Sequence, residues 1–375
     1  MPPRFSIGLD VGSTTVKAVV TDCSADRTVW TDYRRHDTRQ AEAVLGFLKR
    51  IDEEIPGFDH ASCRLFVTGS GGNSIAKHLG GKFVQEVNAV SLAVERLYPE
   101  CGSVIELGGQ DAKIIIFQED PSTGRKRKLP SMNDKCAGGT GAVIDKVSAK
   151  LAISSQDLCR MGYAGLKLHP VAGKCGVFAE TDINGLQKLG VPANELMASL
   201  FEAIVMQNLS VLTRGNTLRP IVLLLGGPNT FIRGMQDSWR ANIPKIWAER
   251  KTTLPDGTDP KSLVRVPENA QYFAAIGAVQ FGKSEDEQVG GYRGWRELER
   301  FMESGENSKK FSSGRNVSLA GEPAELSRFK EQYKRKQFVP EEFDRGAVWK
   351  GLSESTEGPR QPRPYCSPWR RLAGF

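Results

Sequence analysis

Several short signatures of function are missing from this sequence of 375 residues. No apolar run approaches the ~20 residues of a membrane helix, so we expect no membrane-spanning segment and no membrane partner. The amino terminus leads directly into a strand-like pattern, so we predict no secretory signal and a cytoplasmic location. The four histidines share no ligand spacing, and no Ser/His/Asp set indicates a hydrolase.

Cysteine is scarce, and its seven positions are scattered. No C-x-x-C pair occurs, which disfavours a thioredoxin-like motif and a self-contained zinc site. An odd number of cysteines without an export signal is typical of a reducing compartment. Most of these thiols are expected to be inert, because a free cysteine packs as a small apolar residue. That interpretation covers Cys23, Cys63, Cys101, Cys159 and Cys366.

Acidic residues are too few to balance the basic ones, which leaves a net charge of +7. The excess lies late in the chain: residues 291–375 hold 17 Lys and Arg against 12 Asp and Glu, whereas the first 290 hold 34 against 32. Because the body of the chain is nearly neutral, we expect no nucleic-acid partner.

What is present is a succession of strands that end in glycine turns. Apolar runs predict strands over Phe5–Val11 and over 16–21, 28–34, 64–68, 102–107, 112–117 and 220–225. Helical periodicity is found over 40–51, 88–97, 141–151, 195–213 and 269–281. The order strand, glycine turn, strand, helix begins near residue 5 and again near residue 103, which indicates a loose internal repeat.

Three glycine turns follow strands, at 10–15, 106–111 and 225–229. Glycine lets the backbone approach a phosphate and aim N–H groups at it, and Ser and Thr hydroxyls add donors. Asp10, with Glu106 or Asp111, supplies the carboxylate oxygens that Mg²⁺ prefers, commonly through water. The pattern therefore predicts a nucleotide site. Its candidate binding residues are Gly12, Ser13, Thr14, Thr15, Lys17, Gly108, Gly109, Gly226, Gly227 and Asn229.

The residues of these motifs indicate which class of nucleotide-binding fold is present. GxxxxGK[ST] is absent and no GxGxxG opens a helix after a strand, so P-loop and dinucleotide folds are disfavoured. GLDVGSTTVKAVV at 8–20 and VIELGGQDAKII at 104–115 resemble the two phosphate loops of the actin, hexokinase and heat-shock-70 superfamily, and LLLGGPNT at 223–230 resembles its adenosine turn. The resemblance implies an α/β fold with two RNase H-like subdomains around a cleft for ATP or ADP with Mg²⁺.

Within that superfamily, GGQDAK at 108–113, NDKCAGGTG at 133–141 and KCGVFAETD at 174–182 resemble the activators of 2-hydroxyacyl-CoA dehydratases and the related benzoyl-CoA reductase ATPase subunits. The chain is most similar to the first half of the large relatives with two activator domains. The resemblance implies that Asp10 holds Mg²⁺ through water and that Gln110 with Asp111 positions the attacking water. Glu106 stands where the smaller activators usually have Asp, which extends the carboxylate by a methylene.

Two cysteines lie among polar residues and glycines rather than apolar ones: Cys136 at 133–139 and Cys175 at 173–177. A thiolate near a helix start, beside a lysine and exposed N–H groups, is a good metal ligand. The resemblance implies that they ligate a 4Fe–4S cluster, which needs four thiolates, so that two subunits of a homodimer share one cluster. It also implies a ferredoxin or flavodoxin as electron donor and an iron–sulfur dehydratase or reductase component as acceptor.

Two other functions remain open from the sequence. A sugar or carboxylate kinase of the same fold would use the same nucleotide site, but it would leave Cys136 and Cys175 without a role. A nucleotide-gated scaffold without catalytic activity is the third interpretation. A cluster would make the protein brown, which neither alternative predicts.

The expected domain organisation is an ATPase domain over 1–285, with one subdomain at about 1–100 plus 269–283 and the other at 101–268. A partly helical extension follows over 286–350. Residues 351–375 are expected to be disordered, because few apolar side chains are available there to offset ~1–2 kcal/mol of backbone entropy per residue. The two-domain relatives continue into a second phosphate loop at this point, so the sequence suggests a truncated or frame-altered first half.

Overall fold

In the computed structural model, residues 3–119, 126–133 and 138–303 are described, together with 327, 328 and 331. The first sheet has five strands in the order β3-β2-β1-β4-β5. Strand β1 pairs antiparallel with β2 and parallel with β4. The bounds of these strands are β1 Phe5–Val11, β2 Thr15–Asp22, β3 Arg27–Arg35, β4 Cys63–Thr68 and β5 Lys82–Phe83.

The second sheet repeats this arrangement, in the order β10-β9-β6-β7-β8. Its central strand β6 pairs antiparallel with β7 and parallel with β9, as β1 does with β2 and β4. The internal repeat suggested by the order of elements is therefore present as two sheets of equal topology. The strands are β6 Ser103–Leu107, β7 Ala112–Glu119, β8 Lys126–Asn133, β9 Val222–Leu225 and β10 Val264–Arg265.

Helices cover both sheets, as the parallel connections require. They are α1 Gln40–Glu54, α2 Gly72–Leu79, α3 Glu86–Leu97, α4 Gly141–Lys150, α5 Ser155–Arg160, α6 Gly176–Lys188, α7 Ala193–Leu212, α8 Gly227–Phe231, α9 Arg233–Glu249, α10 Phe273–Lys283 and α11 Arg296–Glu303. Among the described residues, one helix, α7, is long and apolar enough to cross a membrane, and 61% of its most apolar window is buried inside the protein, as in a core helix.

Helices α3 and α10 pack against each other between the two sheets. Two glycines on this layer approach backbone so closely that a Cβ would have no room: Gly277 of α10 faces the carbonyl of Ala89, and Gly8 of β1 faces that of Ala275. At Gly277 and Ala89 the two helices therefore contact through their backbones, while apolar side chains pack on either side of this point.

The predicted strands and long helices are confirmed to within a few residues, whereas α6 and α9 have no counterpart in the sequence prediction. Within the extension predicted over 286–350, residues 286–303 pack on the hydrophobic core of the first sheet through the buried Tyr292 and Leu298. Most of the rest of that extension, and the whole tail at 351–375, lie outside the described residues.

Candidate nucleotide site

The three glycine turns meet at one pocket between the two sheets. The turn after β1 is closed by a hydrogen bond from the Gly12 N–H to the Thr15 carbonyl, at 3.0 Å. The turn after β6 lies directly against it, because a Cβ on Gly109 would overlap the Thr14 hydroxyl. The pocket is lined by Gly12, Ser13, Thr14, Thr15, Lys17, Tyr33, Arg35, Glu86, Glu106, Gly108, Gly109, Asp111, Gly141, Ile144, Asp145, Ser155, Leu158, Cys159, Gly226, Gly227, Pro228, Phe231 and Ile232.

The third turn packs tightly behind the second. Gly226 has a φ of +86°, and a Cβ there would overlap the Leu107 backbone, so only glycine fits without strain. Gly227, which follows a strand of the second sheet, lies against the hydroxyl of Tyr33, which belongs to the first sheet. The rings of Tyr33 and Phe231 meet edge to face, with centroids 5.4 Å apart. The pocket thus combines polar turns with an aromatic wall.

A cluster of buried charges lies at the base of the phosphate turns. Asp10, at the end of β1, accepts a hydrogen bond from Lys17 at 2.7 Å. Lys113 is almost fully buried, and its ammonium contacts Glu86 at 2.8 Å, Glu106 at 3.3 Å and also Asp111. Four carboxylates therefore surround two ammonium groups, which leaves the cluster with a formal net negative charge when every group is ionised.

Two carboxylate oxygens in this cluster are buried and accept no hydrogen bond: Asp10 Oδ1 and Glu106 Oε2, the latter only in ion-pair contact with Lys113. A buried anionic oxygen that accepts no hydrogen bond is costly, so the pair at this position is consistent with a cation site. No group of three His, Cys, Asp or Glu side chains in the described part of the chain forms a complete metal cage. This donor set fits Mg²⁺, which usually keeps several waters and is held by one or two carboxylates together with substrate phosphates.

The charged groups in the cluster shift one another's pKa values. Burial disfavours the charged form of Lys17, but the Asp10 carboxylate outweighs it and raises the pKa of Lys17 above its ordinary value. Burial, together with the neighbouring carboxylates of Glu106 and Asp10, raises the pKa of Glu86 to about 7, although Lys113 opposes the shift. Burial also raises the pKa of Glu106, so both carboxyls bind a proton more tightly than a free glutamate does.

The raised pKa of Glu86 gives a prediction for stability. An acid whose pKa is about 7 when folded, against an ordinary 4.5, binds a proton more tightly in the folded state. Its contribution to the free energy of unfolding therefore falls as pH rises through this window. We expect Glu86→Gln to lose less stability than the wild type between about pH 5 and about pH 8. Urea unfolding across this range measures the difference, with the exposed Glu42→Gln as control; parallel pH profiles would contradict the assignment.

The structure brings most of the predicted nucleotide residues to the pocket wall, whereas Asp10, Gln110 and Asn229 do not line it. Asp10 lies behind Lys17 and is only 2% exposed. Gln110 is exposed and is not among the residues that line the pocket. Asn229 is buried in the core, where its amide donates to the carbonyls of Ile105 and Leu225 and accepts from the indole of Trp239. Its position therefore indicates a packing role behind the third turn.

Sequence reasoning missed several residues of the site. Lys113 follows Asp111 by two residues within the quoted GGQDAK motif, so its position was available as a signal. Glu86 comes from the start of α3, and nothing local in the sequence connects it with the glycine turns. The same holds for Tyr33 and Arg35, which lie on one face of β3. Arg35 forms an ion pair across the pocket with Asp145 of α4, at 2.8 Å.

The cysteines fall into distinct settings. Cys175 is the residue before α6 and is partly exposed, whereas Cys136 lies outside the described residues. Cys63 and Cys101 are buried, and burial raises the pKa of the Cys101 thiol to about 12, which agrees with the expectation of an inert thiol. Cys159, also expected to be inert, instead lines the nucleotide pocket.

Two equal sheets with glycine turns at a shared pocket are the architecture of the actin and hexokinase-like ATPases, as the sequence predicted. The fold is similar to that of the activator of the 2-hydroxyisocaproyl-CoA dehydratase from Clostridium difficile with bound ADPNP, with a TM-score of 0.57 and 21% identity. The two structures overlap over 80% of this chain and 97% of the other.

The chain belongs to the BadF/BadG/BcrA/BcrD ATPase family, whose model matches residues 7–237. It is 24% identical to the (R)-2-hydroxyglutaryl-CoA dehydratase activating ATPase of Acidaminococcus fermentans, over 61% of this chain and 86% of the relative. It is 23% identical to one of the subunits of the benzoyl-CoA reductase of Thauera aromatica, over 76% of this chain and 95% of the relative. The protein is therefore an ATPase, and the resemblance inferred from the motifs is confirmed.

Proposed function

We propose that this ATPase is an activator that uses ATP to deliver a low-potential electron to an iron–sulfur CoA dehydratase or reductase. The family membership and the two kinds of relative support the activator role. Within the structure, the observation that favours an activator over a kinase is the position of Cys175, partly exposed at the start of α6 and outside the nucleotide pocket. A kinase of the same fold would leave this thiol without a role.

Packing around Cys175 supports its pairing with Cys136 as a cluster ligand. Gly176 lies against Val143 of α4, the helix that begins five residues after Cys136 in the sequence. Gly173 lies against Ala203 of α7, and the nearby Gly139 lies against the same helix. Gly139 and Gly173, which are close to the two cysteines in sequence, therefore lie against the same region of α7.

The surface beside Cys175 supports a homodimer. Val177 and Phe178, in the first turn of α6, are 62% and 64% exposed. Large apolar side chains at such exposure are typical of interaction surfaces when they are adjacent. Since a 4Fe–4S cluster needs four thiolates, two chains that meet here would supply Cys136 and Cys175 twice. The cluster would store the electron that is transferred.

The nucleotide pocket supplies the other half of the activity. Ser13, Thr14 and Thr15 would bind phosphate oxygens, while Gly226 and Gly227 allow adenosine to lie against the backbone. Asp10 and Glu106 would hold Mg²⁺ through water, and Asp111, with Gln110, would orient the attacking water. Hydrolysis would supply the free-energy difference between the docked and undocked states of the activator.

The proposed partners follow from this role. A reduced ferredoxin or flavodoxin would charge the cluster, and the acceptor would be an iron–sulfur dehydratase or reductase component. The location would be cytoplasmic, where thiolates stay reduced. A small-molecule kinase is the weaker alternative, because the family and the relatives reported above point to activation instead.

Iron content and ATP turnover test the proposal together. We expect anaerobically purified protein to be brown, to contain about four iron atoms per two chains and to hydrolyse ATP with Mg²⁺. The matched control is the same preparation after chelation, which should lose its colour and keep nucleotide binding. Colourless protein after anaerobic reconstitution, combined with ATP-dependent phosphorylation of a sugar, would overturn the proposal in favour of the kinase.

A further inference from the structure

The backbone that leads from the Cys136 segment into α4 is bonded to the second phosphate turn. The Gly141 N–H donates to the Gly108 carbonyl at 3.0 Å, and the Ala142 N–H donates to the Gly109 carbonyl at 2.7 Å. The Thr140 hydroxyl also donates to the Gly109 carbonyl, at 3.0 Å. Both glycines of the turn are therefore attached to the start of this helix.

The Thr140 side chain makes an unusual hydrogen bond for a residue directly before a helix. It is the residue before α4, where a threonine hydroxyl ordinarily accepts a hydrogen bond from an N–H of its own helix. Here the side chain makes no such capping bond, and its buried hydroxyl donates away from the helix to Gly109. The side chain therefore joins two elements instead of stabilising one helix end.

The same segment is held on its other side by α7. The amide of Asn208, which is 2% exposed, donates to the Gly139 carbonyl at 2.8 Å. Gly139 has a φ of +80°, so the chain turns there in a conformation that favours glycine. In the first turn of α4, Val143 contacts Gly176, which follows Cys175. A shift at Thr140 would therefore reach Gly176, next to Cys175.

We propose that Thr140 is a positioning residue that couples the nucleotide state of the second phosphate turn to the start of α4 and, through Val143, to Cys175. The proposal rests on the proposed function. Its starting point is the contact between Gly109 and the Thr14 hydroxyl, which closes the gap between the two phosphate turns. A phosphate that entered between these turns would push them apart, and the hydrogen bond from the Thr140 hydroxyl would move Thr140 with the Gly109 carbonyl.

Substitution at Thr140 tests this coupling in the full-length chain. Thr140→Val removes the hydroxyl at nearly constant shape, and Thr140→Ser restores it. The first readout is the rate at which a chelator removes iron, with and without MgATP. The second is the alkylation rate of Cys175 in iron-free protein with and without ADPNP, with the exposed Cys23 as internal reference. We expect nucleotide to change both rates by about fivefold or more in the wild type and in Thr140→Ser.

For Thr140→Val, we expect the nucleotide effect on both rates to disappear while nucleotide affinity stays within about threefold of the wild type. Thr140→Ala replaces it if the valine variant does not fold. A full nucleotide response in the valine or alanine variant would overturn the coupling role, as would equal loss of response in Thr140→Ser. Wild-type protein without iron would contradict the proposed function alone, because Cys175 alkylation still measures the coupling.

Discussion

Cys136→Ser and Cys175→Ser should each remove the iron–sulfur cluster completely. In a symmetric dimer each substitution deletes two of the four thiolates at once, and the remaining two cannot hold a 4Fe–4S cluster. The expected result is loss of the brown colour and of bound iron after anaerobic reconstitution, with nucleotide binding retained. Iron analysis, visible absorption and a fluorescent-nucleotide titration measure these three properties.

Two other cysteines provide matched controls for this loss. Cys23→Ser changes an exposed thiol, and Cys101→Ser changes a buried one, so together they bracket the exposure of Cys175. Both controls should keep their iron. Full iron content in either Cys136→Ser or Cys175→Ser would show that the ligand assignment is wrong, whatever the activity of the variant.

Asp10→Asn should reduce Mg²⁺-dependent ATP hydrolysis by at least about a hundredfold, because charge stabilisation through a bound metal contributes several kcal/mol. The substitution keeps the size of the side chain and removes the charge that holds Lys17. Phosphate release as a function of Mg²⁺ concentration measures the loss.

The control for this variant is Asp22→Asn, since the Asp22 carboxylate accepts hydrogen bonds from Ser24 and Ala25 at the end of β2 and does not line the pocket. Its hydrolysis rate should equal that of the wild type. The cluster should persist in both variants. Wild-type turnover in Asp10→Asn would remove Asp10 from the metal site.

The two sheets could be predicted from the sequence because their central strands are buried at every position and carry mostly apolar residues. Strand β1 is buried at every position, so its pattern and its bounds coincide. Helix α6 could not be predicted in the same way. Only Ala179 and Ile183 of this helix are buried, while Val177 and Phe178 are exposed, so its apolar residues do not mark the core-facing side.

The candidate site was predictable where backbone turns form it and unpredictable where distant elements meet. Glycine spacing identified all three turns, because the need for close approach is local. Glu86 enters from the start of α3 and is recognised only through its contact with Lys113. Asn229 shows the opposite case: its place after two glycines suggested a ligand contact, whereas a long-range hydrogen bond from Trp239 holds it in the core.

The backbone contact between α3 and α10 limits how the nucleotide cleft can open. Gly277 and Ala89 meet without intervening side chains, so the two helices can neither approach further nor absorb compression by changing rotamers. A rotation about this contact keeps the two backbones together, and we expect the helix pair to be the pivot about which the cleft opens. A small rotation at the pivot would therefore displace the phosphate turns and the start of α4 by a larger distance.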